Sequence, residues 1–182
     1  MSDYTDSELL EKFRNEETRH YGFNLLVRKY QQRVYWHIRR IVIDHDDSDD
    51  VVQNTFIKVW KNLDSFREDS QFYTWLYRIA TNESLSFLKQ KRTKFFIPIG
   101  DVEHELSNHL GHDSLFSADK IQMKLQKAIL TLPEKQRVVF NMKYFEEMKY
   151  EEISEVLGTS VGALKASFHH AVKKIEKFVT EN

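Results

Sequence analysis

Three features of the sequence predict an all-α protein of two small helical domains. Apolar residues recur every three or four positions through most long stretches, the spacing of one face of a helix. Only five glycines and two prolines interrupt 182 residues, too few for a fold built on turns. From residue 96 to 117 the periodicity stops, and Pro98, Gly100 and Gly111 mark a linker. The expected order is four helices in 1–95, a flexible acidic linker in 96–117, and four helices in 118–182.

Taken in order, residues 6–18 predict a short polar helix with Leu9, Leu10 and Phe13 on its apolar side. A stronger stripe follows in 22–43, where Leu26, Tyr30, Val34, Ile38 and Ile41 recur at helical spacing. The acidic run 44–50 interrupts it, and its Ser48 or Asp49 is expected to cap the next helix. That helix carries Val52, Phe56, Val59, Trp60 and Leu63 inward. SFREDSQF at 65–72 is a polar loop framed by Phe66 and Phe72. The helix from about 71 to 92 buries Phe72, Trp75, Leu76, Ile79, Leu85 and Leu88 and ends in the basic run LKQKRTK. Beyond the linker one helix is expected in 118–131. Another opens at Pro133, a favoured first helical position, and runs to about 145.

The last stretch, YEEISEVLGTSVGALKASFHHAVKKI at 150–175, reads as a helix–turn–helix. Ile153, Val156 and Leu157 form one apolar stripe, and Gly158 follows where a helix end needs left-handed backbone angles. Thr159 or Ser160 offers a hydroxyl to the next helix. Leu164, Phe168, Ala171, Val172 and Ile175 form the second stripe, opposite Lys165, Ser167, His169, His170, Lys173 and Lys174. Such a hairpin lays its polar second helix in a major groove.

Composition excludes several classes. The chain has no cysteine, so it has neither disulfides nor thiolate metal sites, which fits the cytoplasm. The acidic start MSDYTDSELLEKF is no signal peptide, and no apolar run approaches a membrane span. A net charge of −1 argues against a strong free-standing DNA binder. The charge is segregated, however: Lys89, Lys91, Arg92 and Lys94 cluster without acids, whereas 44–50 and 96–118 are acidic without Lys or Arg. HDDSDD lacks the glycine and closing glutamate of a calcium loop, so a solvated helix start is the better reading. No metal, cofactor or catalytic constellation is expected. Tyr73 and Tyr77, off the main stripe and ahead of the basic run, suit stacking with unpaired bases.

These parts together resemble one family, the extracytoplasmic-function (ECF) sigma factors of bacterial RNA polymerase. The resemblance runs from about Phe23 to Ile175. It rests on DSDDVVQNTFIKVWKNLDSF and FYTWLYRIATNESLSFLKQKR within 47–92, and on LPEKQRVVFNMKYFEEMKYEEISEVLGTSVGALKASFHHA at 132–171. It implies a sigma-2 domain in 1–95 and a sigma-4 domain in 118–182. The implied partners are core polymerase (the clamp of its largest subunit and, by analogy, the flap of the second largest), promoter DNA and an anti-sigma factor, with no membrane insertion.

The resemblance also assigns surfaces. Asp49, Asp50, Gln53 and Asn54 would face the clamp, where charge pairs set orientation and on-rate. Phe66, Arg67, Asp69, Ser70 and Asn82 match the minus-10 reader, which flips a base of the non-template strand into a pocket. Tyr73 and Trp75 would flank the opening point, and Lys89, Lys91 and Arg92 would hold phosphates. Lys165, Ser167, His169, His170 and Lys173 would meet the minus-35 duplex. Here GALKASFHHA departs from the commoner GTVKSRLHRA: Ser167 and His170 replace arginines, removing two bidentate guanine contacts. Asp101, Glu103, Glu105 and Asp113 make the linker a crude mimic of RNA's charge. A stand-alone helix–turn–helix regulator and a metal-dependent hydrolase are the rival readings.

Overall fold

The computed structural model describes residues 4–95 and 120–181, so the linker and its four acids lie outside the described residues. Among these, all regular structure is helical. Helix α1 (Asp6–Arg14) is followed by α2 (Arg19–Val42), α3 (His45–Asn62), a single 3-10 turn at Leu63–Ser65 and α4 (Phe72–Phe95). The rear half holds α5 (Lys120–Leu130), α6 (Glu134–Tyr144), α7 (Tyr150–Leu157) and α8 (Val161–Glu181). None of these helices is long and apolar enough to cross a membrane.

Local chemistry accounts for the ends. Thr5 caps α1 in a reciprocal box with Glu8, whose carboxyl is held below its ordinary value by the Thr5 amide. Gly158 ends α7 with φ 63°, as the sequence requires, and the Ser160 hydroxyl accepts from the Ala163 amide, opening α8. Pro133 sits one residue before α6 rather than inside it. One cap differs from expectation: Asp44, not Ser48 or Asp49, caps α3 by accepting from the Asp47 amide at 2.9 Å. Ser48 is buried inside the first turns, where its hydroxyl donates to the Asp44 carbonyl.

In the front half α2 is central, with α1, α3 and α4 packed around it. Leu26, Val34 and Ile38 of α2 meet Val51 and Val59 of α3 and Leu76 and Ala80 of α4 in one buried cluster. Gly22 lets α1 cross α2 at backbone contact: a Cβ there would lie 2.7 Å from the Phe13 nitrogen. Trp60 meets the Phe13 ring edge-on at 5.4 Å, closing the far end. In the rear half Phe140 stacks on Phe168 at 5.7 Å above Ala128, Ile129, Ala171 and Ile175.

The two halves pack directly on each other. The main apolar cluster continues from α4 into Val138, Met142, Ile153 and Val156 of α6 and α7. Polar contacts fix the orientation. The His37 ring lies 2.7 Å from Glu146 Oε1 through Nδ1 and 2.8 Å from Thr81 Oγ1 through Nε2. Asn141 donates to the Arg40 carbonyl at 3.2 Å, and the Arg40 guanidinium lies 4.6 Å over the Phe145 ring.

Candidate nucleic-acid and polymerase interface

The loop between the 3-10 turn and α4 forms the rim of two cavities. Ser65, Phe66, Arg67, Asp69, Ser70, Trp75, Arg78 and Glu155 line one of about 410 Å³. The other, of about 520 Å³, lies across the loop and takes in Asp6, Ser7 and Leu10 of α1 together with Glu152 and Glu155 of α7. Phe66 is buried, tilted against Trp75 at 5.1 Å and edge-on to Phe72 at 5.9 Å, so it stiffens the loop from beneath. Arg67 and Asp69 are exposed and Ser70 is half-buried. Four of the five residues expected at the base-reading site are thus brought together. The fifth, Asn82, is exposed on α4 about 10 Å further along the axis and lines neither cavity.

The two tyrosines part company. Tyr77 is 2% exposed, with its ring 4.7 Å from that of His37, and burial pushes its phenol up. It belongs to the core and cannot stack on a base. Tyr73 is half-buried at the surface of α4, where its hydroxyl donates to the Glu152 carboxylate; burial first, then that bond, pushes the phenol up to about 12.

The basic end of α4 is divided as well. Lys89 is exposed. Arg92 pairs with Glu134 of α6 at 3.0 Å. Lys91 points the other way and pairs with Asp47 at 2.7 Å, stapling α4 to α3. Trp75, Arg78, Asn82, Lys89 and Arg92, spaced three, four, seven and three, share one face of α4. Arg78 was missed in the sequence, although that spacing was visible there.

On α3, Asp49, Asp50, Gln53 and Asn54 are all exposed, while Phe56 and Trp60 pack against the core beneath them. Ile57 is the surprise: it is 51% exposed on the same outward face, one turn beyond Gln53 and Asn54.

Residues 26–94 match the sigma-70 region 2 family and residues 122–175 match sigma-70 region 4. The chain is 33% identical to the RNA polymerase sigma-H factor of Pseudomonas aeruginosa, covering 94% of this chain and 92% of that one. It is 32% identical to the ECF RNA polymerase sigma-E factor of Escherichia coli K12, covering 96% and 94%. The chain belongs to the ECF sigma factors. As an ECF sigma factor it works with core RNA polymerase in promoter-directed initiation, which displaces the stand-alone regulator as a reading. Two solved structures share its fold. One is CnrH in complex with the cytosolic domain of CnrY (TM-score 0.70, 23% identity, covering 97% of this chain and 99% of that one). The other is RpoE in complex with the anti-sigma factor NepR from Bartonella quintana (TM-score 0.69, 20% identity, covering 87% and 96%).

In this sigma factor the polar face of α8 is open to solvent at Lys165, His169, His170 and Lys173, with Ser167 half-buried between them. Lys165 lies 5.7 Å over the Tyr150 ring of α7, which ties the start of the second helix to the first. Leu164, Ala171 and Ile175 are buried on the opposite side, so helical spacing separates the packing face from the presented one.

Proposed function

We propose a division of surfaces within this sigma factor. The outward face of α3, with Asp49, Asp50, Gln53 and Asn54, docks on the polymerase clamp. The loop bearing Phe66, Arg67, Asp69 and Ser70 receives a flipped minus-10 base, with Tyr73 and Trp75 at the point of strand opening. Asn82, Lys89 and Arg92 follow the strand along α4. Lys165, Ser167, His169, His170 and Lys173 of α8 meet the minus-35 duplex, and the rear half also seats on the polymerase flap. Lys91 joins the strand-holding cations only by releasing Asp47.

The observation carrying this reading is that a cavity-rimming polar loop and a half-buried tryptophan at the start of α4 lead into a row of cations along the same face of that helix. Aromatic faces beside a cationic track suit unpaired bases, with stacking worth about 1–3 kcal/mol per base. The protein performs no chemistry of its own; it positions the polymerase. Its place of action is the cytoplasm, and an anti-sigma factor is a further partner, as the complexes of its structural neighbours suggest. The acidic stretch 96–117 acts as a displaceable mimic of nascent RNA.

Reconstitution with core polymerase tests this. The expected result is a stable complex that makes thymines near minus-10 reactive to permanganate, with loss of that reactivity in Trp75→Ala. A complex that initiates normally with both Arg67→Ala and Trp75→Ala would overturn the assignment.

A further inference from the structure

We propose that the rear half is an internal substitute for the non-template strand, seated on the row of donors along α4, and that Arg78 is a further strand contact freed when it leaves. This rests on the function proposed above and adds to it a competition within one chain.

From Arg78 to Arg92 the row spans about 21 Å along the helix axis. Both ends meet acceptors from the rear half. Arg78 Nε donates to the Glu155 carbonyl at 3.0 Å, and Arg92 Nη2 donates to the Glu134 carboxylate at 3.0 Å. Beside them the Tyr73 hydroxyl donates to the Glu152 carboxylate. Guanidinium groups recognise carboxylate and phosphate with the same N–H donors, so the Glu134 carboxylate competes with a phosphate for Arg92, and the Glu155 carbonyl takes one of the donors of Arg78. Glu152 and Glu155 also wall the cavities at the reading loop. The larger cavity is lined by five carboxylates, from Asp6, Glu68, Asp69, Glu152 and Glu155, with Lys29 paired to Asp6 and Arg14 to Glu68. A phosphate backbone is repelled from that wall while α7 stays in place. When α7 leaves, two of the five acids leave with it, and Arg78 becomes a cation at the mouth of the smaller cavity.

The full-length chain allows a direct test, using fluorescence anisotropy of labelled oligo(dT) 15-mer at low salt. Glu134→Gln with Glu152→Gln removes the substitute anions; glutamine still serves the capping box that Glu152 forms with the Lys149 amide. Glu146→Lys repels the rear half through a different contact. Both variants, with helicity unchanged by circular dichroism, are expected to bind oligo(dT) at least fivefold more tightly than wild type. Adding Arg78→Ala to the first should reduce the gain and flatten the log–log salt slope by about 0.7, one single-strand phosphate contact. Affinity within twofold of wild type in the folded double variant overturns the competition, and an unchanged salt slope overturns the role of Arg78. Co-elution with core polymerase is measured in parallel. A chain that binds core normally but gains no affinity refutes this inference alone, whereas failure to bind core refutes the functional reading beneath it.

Discussion

His37 of α2 and Glu146, which follows α6, meet at 2.7 Å with the imidazole fully buried. The Thr81 hydroxyl gives its one proton to the Tyr77 carbonyl at 2.7 Å, so its oxygen is left to accept from the other ring nitrogen of His37. The His37 ring thus bridges Thr81 of α4 and Glu146 of the rear half. This contact joins residues 109 apart in sequence. It should behave as a unit in a double-mutant cycle: His37→Ala and Glu146→Ala, separately and together, should show a coupling of about 1–3 kcal/mol in urea unfolding. Additive losses would mean the contact does not hold the halves together.

Ile57 exposes half its surface in the middle of a polar helical face. Apolar anchors at the centre of an interface carry most of its energy, and polar rims mainly steer. Ile57→Lys is expected to weaken core polymerase binding at least tenfold with unchanged helicity, whereas Asp50→Asn should mainly slow association and blunt its salt dependence. Competition binding against a second sigma factor reads the first effect, and stopped-flow association the second.

Ser167 stands where the commoner family pattern has an arginine. Ser167→Arg restores a bidentate donor on the presented face of α8, worth about 1–3 kcal/mol of discrimination at one base pair. Selection from a randomised minus-35 library should then enrich guanine at a single position. Lys173→Ala should weaken all sequences alike, and an unchanged profile for Ser167→Arg would remove this residue from the reading set.

Arg19 at the start of α2 pairs with Asp64 in the 3-10 turn, and this hydrogen bond holds the Asp64 carboxyl below its ordinary value of 3.8. A carboxylate with a depressed folded value stabilises above its unfolded value, and the contribution fades as pH falls through the folded one. The urea midpoints of wild type and Asp64→Asn should therefore differ at neutral pH and converge below about pH 4. A gap that persists at low pH would assign the effect to packing instead.

Gly22→Ala places a methyl against the backbone of α1, within 2.9 Å of Lys12 and closer still to Phe13. Overpacking of this kind costs about 1–3 kcal/mol. Thermal unfolding should show the loss, with hydrogen exchange rising first in α1.

Most of the helices could be read from one periodicity, because each packs one apolar stripe inward. Gly158 was legible because it answers a local backbone need, and Pro133 marked the start of α6 to within one residue. Tyr77 was misread because α4 is packed by α2, α3 and α7 together, and a helix with neighbours on several sides buries residues off its main stripe. The α3 cap was misplaced because Asp44 is one of several good caps in a row, and Ile43, which closes α2 with φ 72°, comes immediately before it. The capture of Tyr73 and Arg78 by α7 was beyond sequence reading, since nothing local specifies how one helical hairpin docks on another bundle.

The close crossing at Gly22 brings Asp6, Ser7 and Leu10 of α1 to the floor of the larger cavity, although they precede the residues matching region 2. Grafting the 65–72 loop alone into a relative would therefore transplant a ceiling without its floor. A chimera that carries this cavity over intact needs the first fifteen or so residues along with the loop.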